Sequence, residues 1–337
     1  MTGIVIVGEA WGKEEAQAQS PFVGTSGRLL TRLLHDAGIE RSSCFLTNVF
    51  NLHPYGDDIN EFCGAAATAI PGYPAHHGAR YIHRKHSTEL QRLSREIDLH
   101  RPNICILLGN TAMWAMLGKS GVAKWRGTTN LSTHTYGGVK CLSTYHPAAV
   151  GRDWSMRATV VLDFKKAKRE SAFPDVRYPK RELWIEPTLE DLYEFEKRYM
   201  RLCDIIAIDI ETSGSQVTIV GFSPQPDVAL IVPFYDARAK GRSYWATNDD
   251  ELAAWGFVRS VLQDGKRKKV FQNGLYDIAF LYRSVGIKVM GAEHDTMLLH
   301  HSLMPESLKG LGYLGSIYTN ERAWKWMRTT TTIKQDA

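Results

Sequence analysis

The sequence predicts an α/β protein of two successive domains, the first organised around a parallel, doubly wound sheet. Three observations lead there. In the first half, β-rich runs alternate with segments of helical apolar spacing. A run carrying three prolines and several charges, FPDVRYPKRELWIEP (173–187), then interrupts the alternation as an extended linker would. Beyond it three strand-like runs follow one another before helical spacing returns. At 337 residues the chain is long enough to bury two cores.

Taken in order, GIVIV (3–7) is a buried-type strand, and RLLTRLLHDAGI (28–39) is apolar at helical intervals. CFLTNVF (44–50) is β-rich, and an irregular stretch runs from it to about residue 87. ELQRLSREIDL (89–99) reads as helix. NICILLGN (103–110) is almost continuously apolar, the mark of a parallel strand covered on both faces. TAMWAMLG continues as a helix closed by Gly118; VKCLSTYHP (139–147) is a strand ending in a polar turn, and RATVVLDFKKAKRE (157–170) is a helix. Such alternation puts a ligand site at the carboxyl ends of the strands. After the linker, Thr188 and Asp191 can cap the helix LEDLYEFEKRYM. The strands DIIAIDIETSG, TIVGFSP and VALIVPF come next, then the helix DELAAWGFVRSVLQ, the strand KVFQ and a helix from Gly274. The expected limits are 1–172 for the first domain, 173–187 for the linker, 188–325 for the second domain and 326–337 for an exposed tail without apolar pattern.

The formal charge of +5 is mild but unevenly placed: residues 152–181 hold nine Lys/Arg against four Asp/Glu. A basic stripe confined to one segment suits a polyanion. Five cysteines at 44, 63, 105, 141 and 203 show no Cys-x-x-Cys spacing, which argues against a disulfide framework and for a reducing cytoplasm. No apolar run reaches membrane-spanning length and no leader precedes the first strand, so a cytoplasmic protein without a membrane partner is expected.

The most informative stretch is GEAWGKEEAQAQSPFVGTSGRLL (8–30). Glycines at 8, 12, 24 and 27 let backbone approach a ligand, and the amide groups at a strand end and helix start suit polar or anionic atoms. Gly8-Glu9-Ala10-Trp11-Gly12, Glu15, Pro21-Phe22-Val23-Gly24 and Gly27, followed by Asn48 in TNV and His146 in TYHPAAVGRDWSMR, resemble the uracil-DNA glycosylase superfamily, particularly its family-4-like branch. Trp11 departs from the proline usual there. The resemblance implies that Phe22 stacks beneath a flipped base and that Asn48 reads the O4 and N3–H edge of uracil, since an amide offers donor and acceptor together. It implies that His146 donates to the departing base as negative charge develops, and that Glu9 positions water or stabilises the sugar cation. Gly8 and Glu15 belong to the same base site, Glu15 being a reserve candidate for the carboxylate role. Arg152, with Arg157 and Lys165 of the basic stripe, would contact phosphate, and the small residues after Pro147 could enter the minor groove.

Two departures qualify what carries over. Family-4 enzymes hold an iron–sulfur cluster on four cysteines. Only seven residues precede Gly8 here, and the expected cysteine run after Asn48 reads Val-Phe-Asn-Leu, so no cluster is expected. The insertion HHGARYIHRKH (76–86) has four histidines but no acidic or cysteine partners, and a solvated basic loop is expected. YIHRK also resembles the loop of a glycosylase subgroup that traps its abasic product on a histidine, which would make His83 a nucleophile.

In the second half, IAIDIET puts Asp209 and Glu211 on one side of a strand, and FQNGLYD puts Asn273 and Asp277 on one face at a helix start. Hard oxygen ligands converging this way suit Mg²⁺ or Mn²⁺ in a two-metal phosphodiester hydrolase. DIET, QNGLYD and DTMLL, in that order, resemble the DnaQ-like 3′–5′ exonucleases attached to family A DNA polymerases. That implies an RNase H-like α/β domain, here lacking its C-terminal part: the third motif, Tyr-x-x-x-Asp, is not found, and the tail offers Asp336 without the tyrosine. Asp295 is implied to be structural. Together the two resemblances imply a DNA repair or replication protein of phage type that releases uracil or a related deaminated base. The alternatives are a non-catalytic module holding primer–template DNA for a polymerase subunit, or an Mg²⁺-dependent exonuclease completed by a partner chain.

Overall fold

The computed structural model describes residues 3–239 and 241–323. The chain divides into two compact units, Met1–Tyr178 together with Gly312–Ala337, and Pro179–Leu311.

The first unit is built on strands β1 (Ile4–Ala10), β2 (Cys44–Phe50), β5 (Ile104–Leu108), β6 (Thr129–Leu131) and β7 (Lys140–Thr144), in the order β2-β1-β5-β7-β6. A separate two-stranded ribbon pairs β3 (Cys63–Gly64) with β4 (Tyr81–Ile82). β2, β1, β5 and β7 are parallel, as the alternation predicts, whereas edge strand β6 runs antiparallel to β7. β1 shows why the apolar runs are continuous: Ile4 and Ile6 pack with Leu30, Leu33 and Phe164 on one face, while Val5 and Val7 pack with Leu93, Met113 and Trp114 on the other. Both faces bury side chains, so no polar alternation survives.

The second unit is a mixed sheet of β8 (Glu182–Trp184), β9 (Ile205–Ser213), β10 (Gln216–Gln225), β11 (Val228–Pro233), β12 (Lys268–Phe271) and β13 (Ala292–Asp295), in the order β13-β12-β9-β10-β11-β8. β9 alternates cleanly: Ile206, Ile208 and Ile210 are buried, and Ala207, Asp209 and Glu211 are exposed. The buried face meets the helices Leu189–Phe195 and Asn248–Gln263 through Leu192, Phe195, Phe257 and Val258.

Two segments near the expected boundaries are drawn into the packed units, each for a local reason. The expected linker splits: the buried Lys140 ammonium donates to the Phe173 and Asp175 carbonyls at 2.7 and 2.9 Å, while Glu182–Trp184 pairs with β11. A three-residue strand beside prolines carries no periodicity to read. Residues 312–320 pack with the first unit because buried Lys166 donates to the carbonyls of Gly127 (2.7 Å), Ser316 (2.9 Å) and Thr319 (2.6 Å). The tail expected at 326–337 lies outside the described residues. Among the described residues no helix is long and apolar enough to cross a membrane.

Candidate active site

β1 lies between β2 and β5, so the strand order reverses there and a crevice opens at the carboxyl ends. A cavity of about 660 Å³ occupies it, within the range of ligand pockets of about 300–1,000 Å³. Glu9 comes from the end of β1, Glu15 and Phe22 from the glycine-rich connection after it, Asn48 from β2, Gly109 and Asn110 from the helix start just after β5, and His146 and Arg152 from the turn and helix after β7. Residues far apart in the chain therefore line a single space.

Gly8 explains how two of them meet. It pairs with Asn48 across β1 and β2. A Cβ at this position would overlap Asn48 Oδ1 outright and stand 2.5 Å from Phe22 Cζ, so only hydrogen lets the amide and the ring share this strand end. Phe22 has a φ of +56°, a left-handed conformation that costs a non-glycine residue roughly 1–2 kcal/mol. Its backbone is held there by the Arg41 guanidinium, which donates to Phe22 O at 2.9 Å and Gly27 O at 3.2 Å; a Cβ on Gly27 would overlap the Phe22 carbonyl. The Asn48 backbone is fixed from the other side. Arg92 donates to Asn48 O (2.7 Å) and Val49 O (3.1 Å) and is itself held by Glu89 and Glu96. Glu15 is buried and accepts the Gly24 N–H at 2.8 Å, with Gly12 against its other oxygen. Its carboxylate ties the two glycine turns together.

His146 caps the helix Pro147–Arg152: its Nδ1 accepts the Ala148 N–H at 3.2 Å, so the ring proton of the neutral form sits on Nε2. The residue is half-buried and lines the cavity. Burial, reinforced by Arg152, lowers its pKa to about 4, which keeps the imidazole neutral at pH 7. Its centroid is 6.3 Å from that of Phe22, with the planes tilted 31°. Glu9 is pulled two ways. Burial raises its pKa, a hydrogen bond donated by the Thr111 hydroxyl lowers it, Asp58 raises it and Arg152 lowers it; the net shift is upward.

The remaining expected contacts divide. Arg152 lines the cavity, Lys165 is exposed on the helix Arg157–Glu170, and Arg157 is paired with Asp36 at 2.6 Å and lies 5.6 Å from the Trp154 ring. Of the small residues after Pro147, Val150 is buried and Ala148 and Ala149 line the cavity, while the large exposed apolar side chain of this segment is Trp154. His83 is not brought to the cavity. Its Nδ1 accepts the Lys85 N–H at 3.1 Å and caps the short turn Arg84–His86. The insertion is solvated in part: His77, Arg80, Arg84 and Lys85 are exposed as expected, but His76 and His86 are buried, the latter with its ring centroid 4.4 Å from that of Phe62.

In the second unit Asp277, on the helix Leu275–Val285, is buried and accepts the N–H of Ile210, the residue between Asp209 and Glu211, at 3.1 Å. Burial raises its pKa, with Asp295 and Glu211 adding to the rise. Asp295 accepts N–H bonds from Asn273, Gly274, Met297 and Leu298, which outweigh burial and hold its pKa below the ordinary value, so it is a structural cap. Asp209 and Glu211 share the exposed side of β9 as expected. Among the described residues, however, no three His, Cys, Asp or Glu side chains gather closely enough to hold a metal ion. As arranged, the acids do not fit a two-metal centre.

Comparison with known proteins also divides the chain in two, although the second match continues past Leu311 into the segment that packs with the first unit. The uracil DNA glycosylase superfamily matches residues 1–177, and a 3′–5′ exonuclease family matches residues 186–327. The chain belongs to the uracil DNA glycosylase superfamily, and a DnaQ-like 3′–5′ exonuclease domain follows its glycosylase domain. It is 31% identical to the type-4 uracil-DNA glycosylase of Sulfurisphaera tokodaii over 52% of this chain and 72% of that one. It is 32% identical to that of Thermotoga maritima over 50% of this chain and 77% of the other. Among solved structures it is similar to Brucella melitensis NrnC with bound Mg²⁺ (22% identity, 42% of this chain, 61% of that one, TM-score 0.26). It is also similar to the Trypanosoma brucei RNase D complex with RNA U12 (19%, 47% and 52%, TM-score 0.34). The chain spans about six-tenths or less of these two structures' length.

The side chains that hold the site in place escaped sequence reading. Arg41 and Arg92 look like ordinary surface cations of helical segments, and Thr111 looks like a helix-start residue. Gly8 and Gly27, by contrast, were marked by their spacing.

Proposed function

We propose that the first unit flips uracil, or a related deaminated base, out of DNA and hydrolyses its N-glycosidic bond. The observation that carries this reading is the convergence of Glu9, Phe22, Asn48 and His146 on one cavity at the sheet's carboxyl end. In it, the base stacks on Phe22 while the Asn48 amide pairs with O4 and N3–H. His146, neutral with its proton on Nε2, donates to the uracil oxygen on which charge accumulates as the C1′–N1 bond lengthens. Glu9 holds the water that attacks C1′ and balances the cationic sugar. Arg152 at the rim takes a phosphate, and exposed Lys165 and Trp154 extend the contact along the strand. Incubating the chain with an end-labelled oligonucleotide containing one uracil, then cleaving abasic sites with alkali, tests this. Scission at the uracil supports it; an intact strand at enzyme excess ends it.

The second unit, we infer, holds DNA 3′ ends in a cytoplasmic repair or replication complex that includes a DNA polymerase. The engagement of Asp277 by the Ile210 amide favours binding over cutting by this chain alone. Mg²⁺- or Mn²⁺-dependent shortening of 3′ ends would then need ligands from a partner chain, and its occurrence with the isolated protein would overturn this inference.

A further inference from the structure

One member of the histidine-rich insertion reaches, through Thr111, the Glu9 carboxylate that lines the cavity. His76 is buried, and its Nε2 lies 2.9 Å from Thr111 Oγ1. Thr111, fully buried on the helix Gly109–Leu117, donates its hydroxyl proton to Glu9 Oε2. The loop that carries His76 is anchored independently. Its backbone N–H donates to Arg80 O at 2.8 Å, its ring meets Trp114 edge-on at 5.6 Å, and the Trp114 indole donates to Pro74 O at 2.8 Å.

We propose that His76 and Thr111 are positioning residues for Glu9, a buried chain that fixes one carboxylate oxygen and leaves the other aimed at the attacking water. The direction of the chain follows from proton counting. His76 Nδ1 is buried without a partner. A proton there would be an unpaired buried donor costing about 1–3 kcal/mol, so the proton sits on Nε2 and is donated to Thr111. The threonine oxygen thus filled, its single proton goes to Glu9. Burial, with His77 adding, lowers the His76 pKa to about 4, which keeps this neutral form in place at working pH. Asp58 and Arg152 are the other charges that act on Glu9, in opposite senses.

The chain matters at one step of the proposed reaction and rests on that reading. The C1′–N1 bond breaks and its electron pair leaves with uracil. The water oxygen bonds to C1′, and the water's proton passes to the Glu9 oxygen not held by Thr111. A Glu9 without the threonine donor is protonated at higher pH and swings freely, so the base is lost on the acid side.

The test compares wild type, Thr111→Val, Thr111→Ser, His76→Leu and His76→Gln in two assays. In single-turnover uracil release, Thr111→Val and His76→Leu should be about 10- to 100-fold slower at neutral pH with substrate binding unchanged. Their acid limb should move to higher pH, while Thr111→Ser and His76→Gln, which restore a donor, should recover the wild-type profile. In parallel, NMR titration of ¹³C-labelled glutamate carboxyls reads the Glu9 pKa without catalysis. An upward move in Thr111→Val supports the chain even in a protein that releases no uracil. A wild-type release profile and an unmoved Glu9 titration in folded Thr111→Val or His76→Leu would overturn it. Absent uracil release in wild type would instead strike the glycosylase reading alone.

Discussion

Gly8→Ala perturbs the base pocket while leaving the identity of every side chain that lines it unchanged. The added methyl would overlap Asn48 Oδ1 and stand 2.5 Å from Phe22 Cζ, roughly an ångström inside ordinary contact. Gly8 sits mid-strand with paired neighbours on β2, so the backbone cannot retreat, and the amide or the ring must move by a comparable distance. A displacement of about 1 Å from productive geometry costs on the order of 100-fold in rate, and overpacking a filled site costs about 1–3 kcal/mol of stability. Gly151→Ala is the control, because its methyl would rest at an ordinary 3.8 Å from Leu29 Cδ2. Single-turnover uracil release and urea denaturation should be run on both variants. Gly8→Ala is expected to lose about two orders of magnitude in rate and Gly151→Ala almost none. A Gly8→Ala protein that releases uracil at the wild-type rate would refute the claim that Phe22 and Asn48 share the space above Gly8.

Three further outcomes are expected. The His76 pKa falls from 6.5 unfolded to about 4 folded, so the unfolded chain binds a proton that the folded one refuses, and stability drops as pH falls below 6.5. At pH 5 this amounts to about 2 kcal/mol; urea denaturation at pH 8 and pH 5 should show a smaller difference in His76→Gln than in wild type, and equal differences would refute the assignment. Arg126→Ala leaves Asp163 buried, with the Thr144 hydroxyl at 2.6 Å as a remaining partner; a loss of about 3–5 kcal/mol is expected. Because Arg126 also holds the Ser316 hydroxyl at 2.9 Å, hydrogen exchange at residues 313–319 should quicken in the same variant, and unchanged exchange would contradict the proposed anchoring. Asp209→Ala and chelation of divalent ions by EDTA should both leave uracil release unchanged, since the proposed chemistry runs on Glu9 and His146; inhibition by either would refute that separation.

The order of strands and helices was legible because β1 and β5 bury both faces and so write continuous apolar runs, while β9 buries one and writes an alternation. Strand direction at the edge was not: β6 is three residues long, and nothing in Thr129–Leu131 marks it as antiparallel. β13, Ala-Glu-His-Asp, is mostly polar and was invisible for the same reason. In the site, glycines and the residues that face the cavity stood out because backbone approach and base chemistry restrict what can occupy those positions. Arg41, Arg92, Thr111 and His76 did not, because holding a carbonyl or a carboxylate is a task set by tertiary geometry, and many polar residues could do it from other places. The histidine insertion misled for a related reason. Its composition is that of a solvated loop, and only the packing of Trp114 and Phe62 turns His76 and His86 inward.

The most direct measurement is uracil release from a single-uracil oligonucleotide by wild type, Asn48→Ala and His146→Ala, at enzyme excess and pH 7. Wild type should yield alkali-sensitive strands, and each variant should be slower by about 100- to 1,000-fold while its melting curve stays cooperative. Equal rates in all three proteins, or no scission in any, would show that the cavity shared by Phe22, Asn48 and His146 is not where a base is cut from DNA.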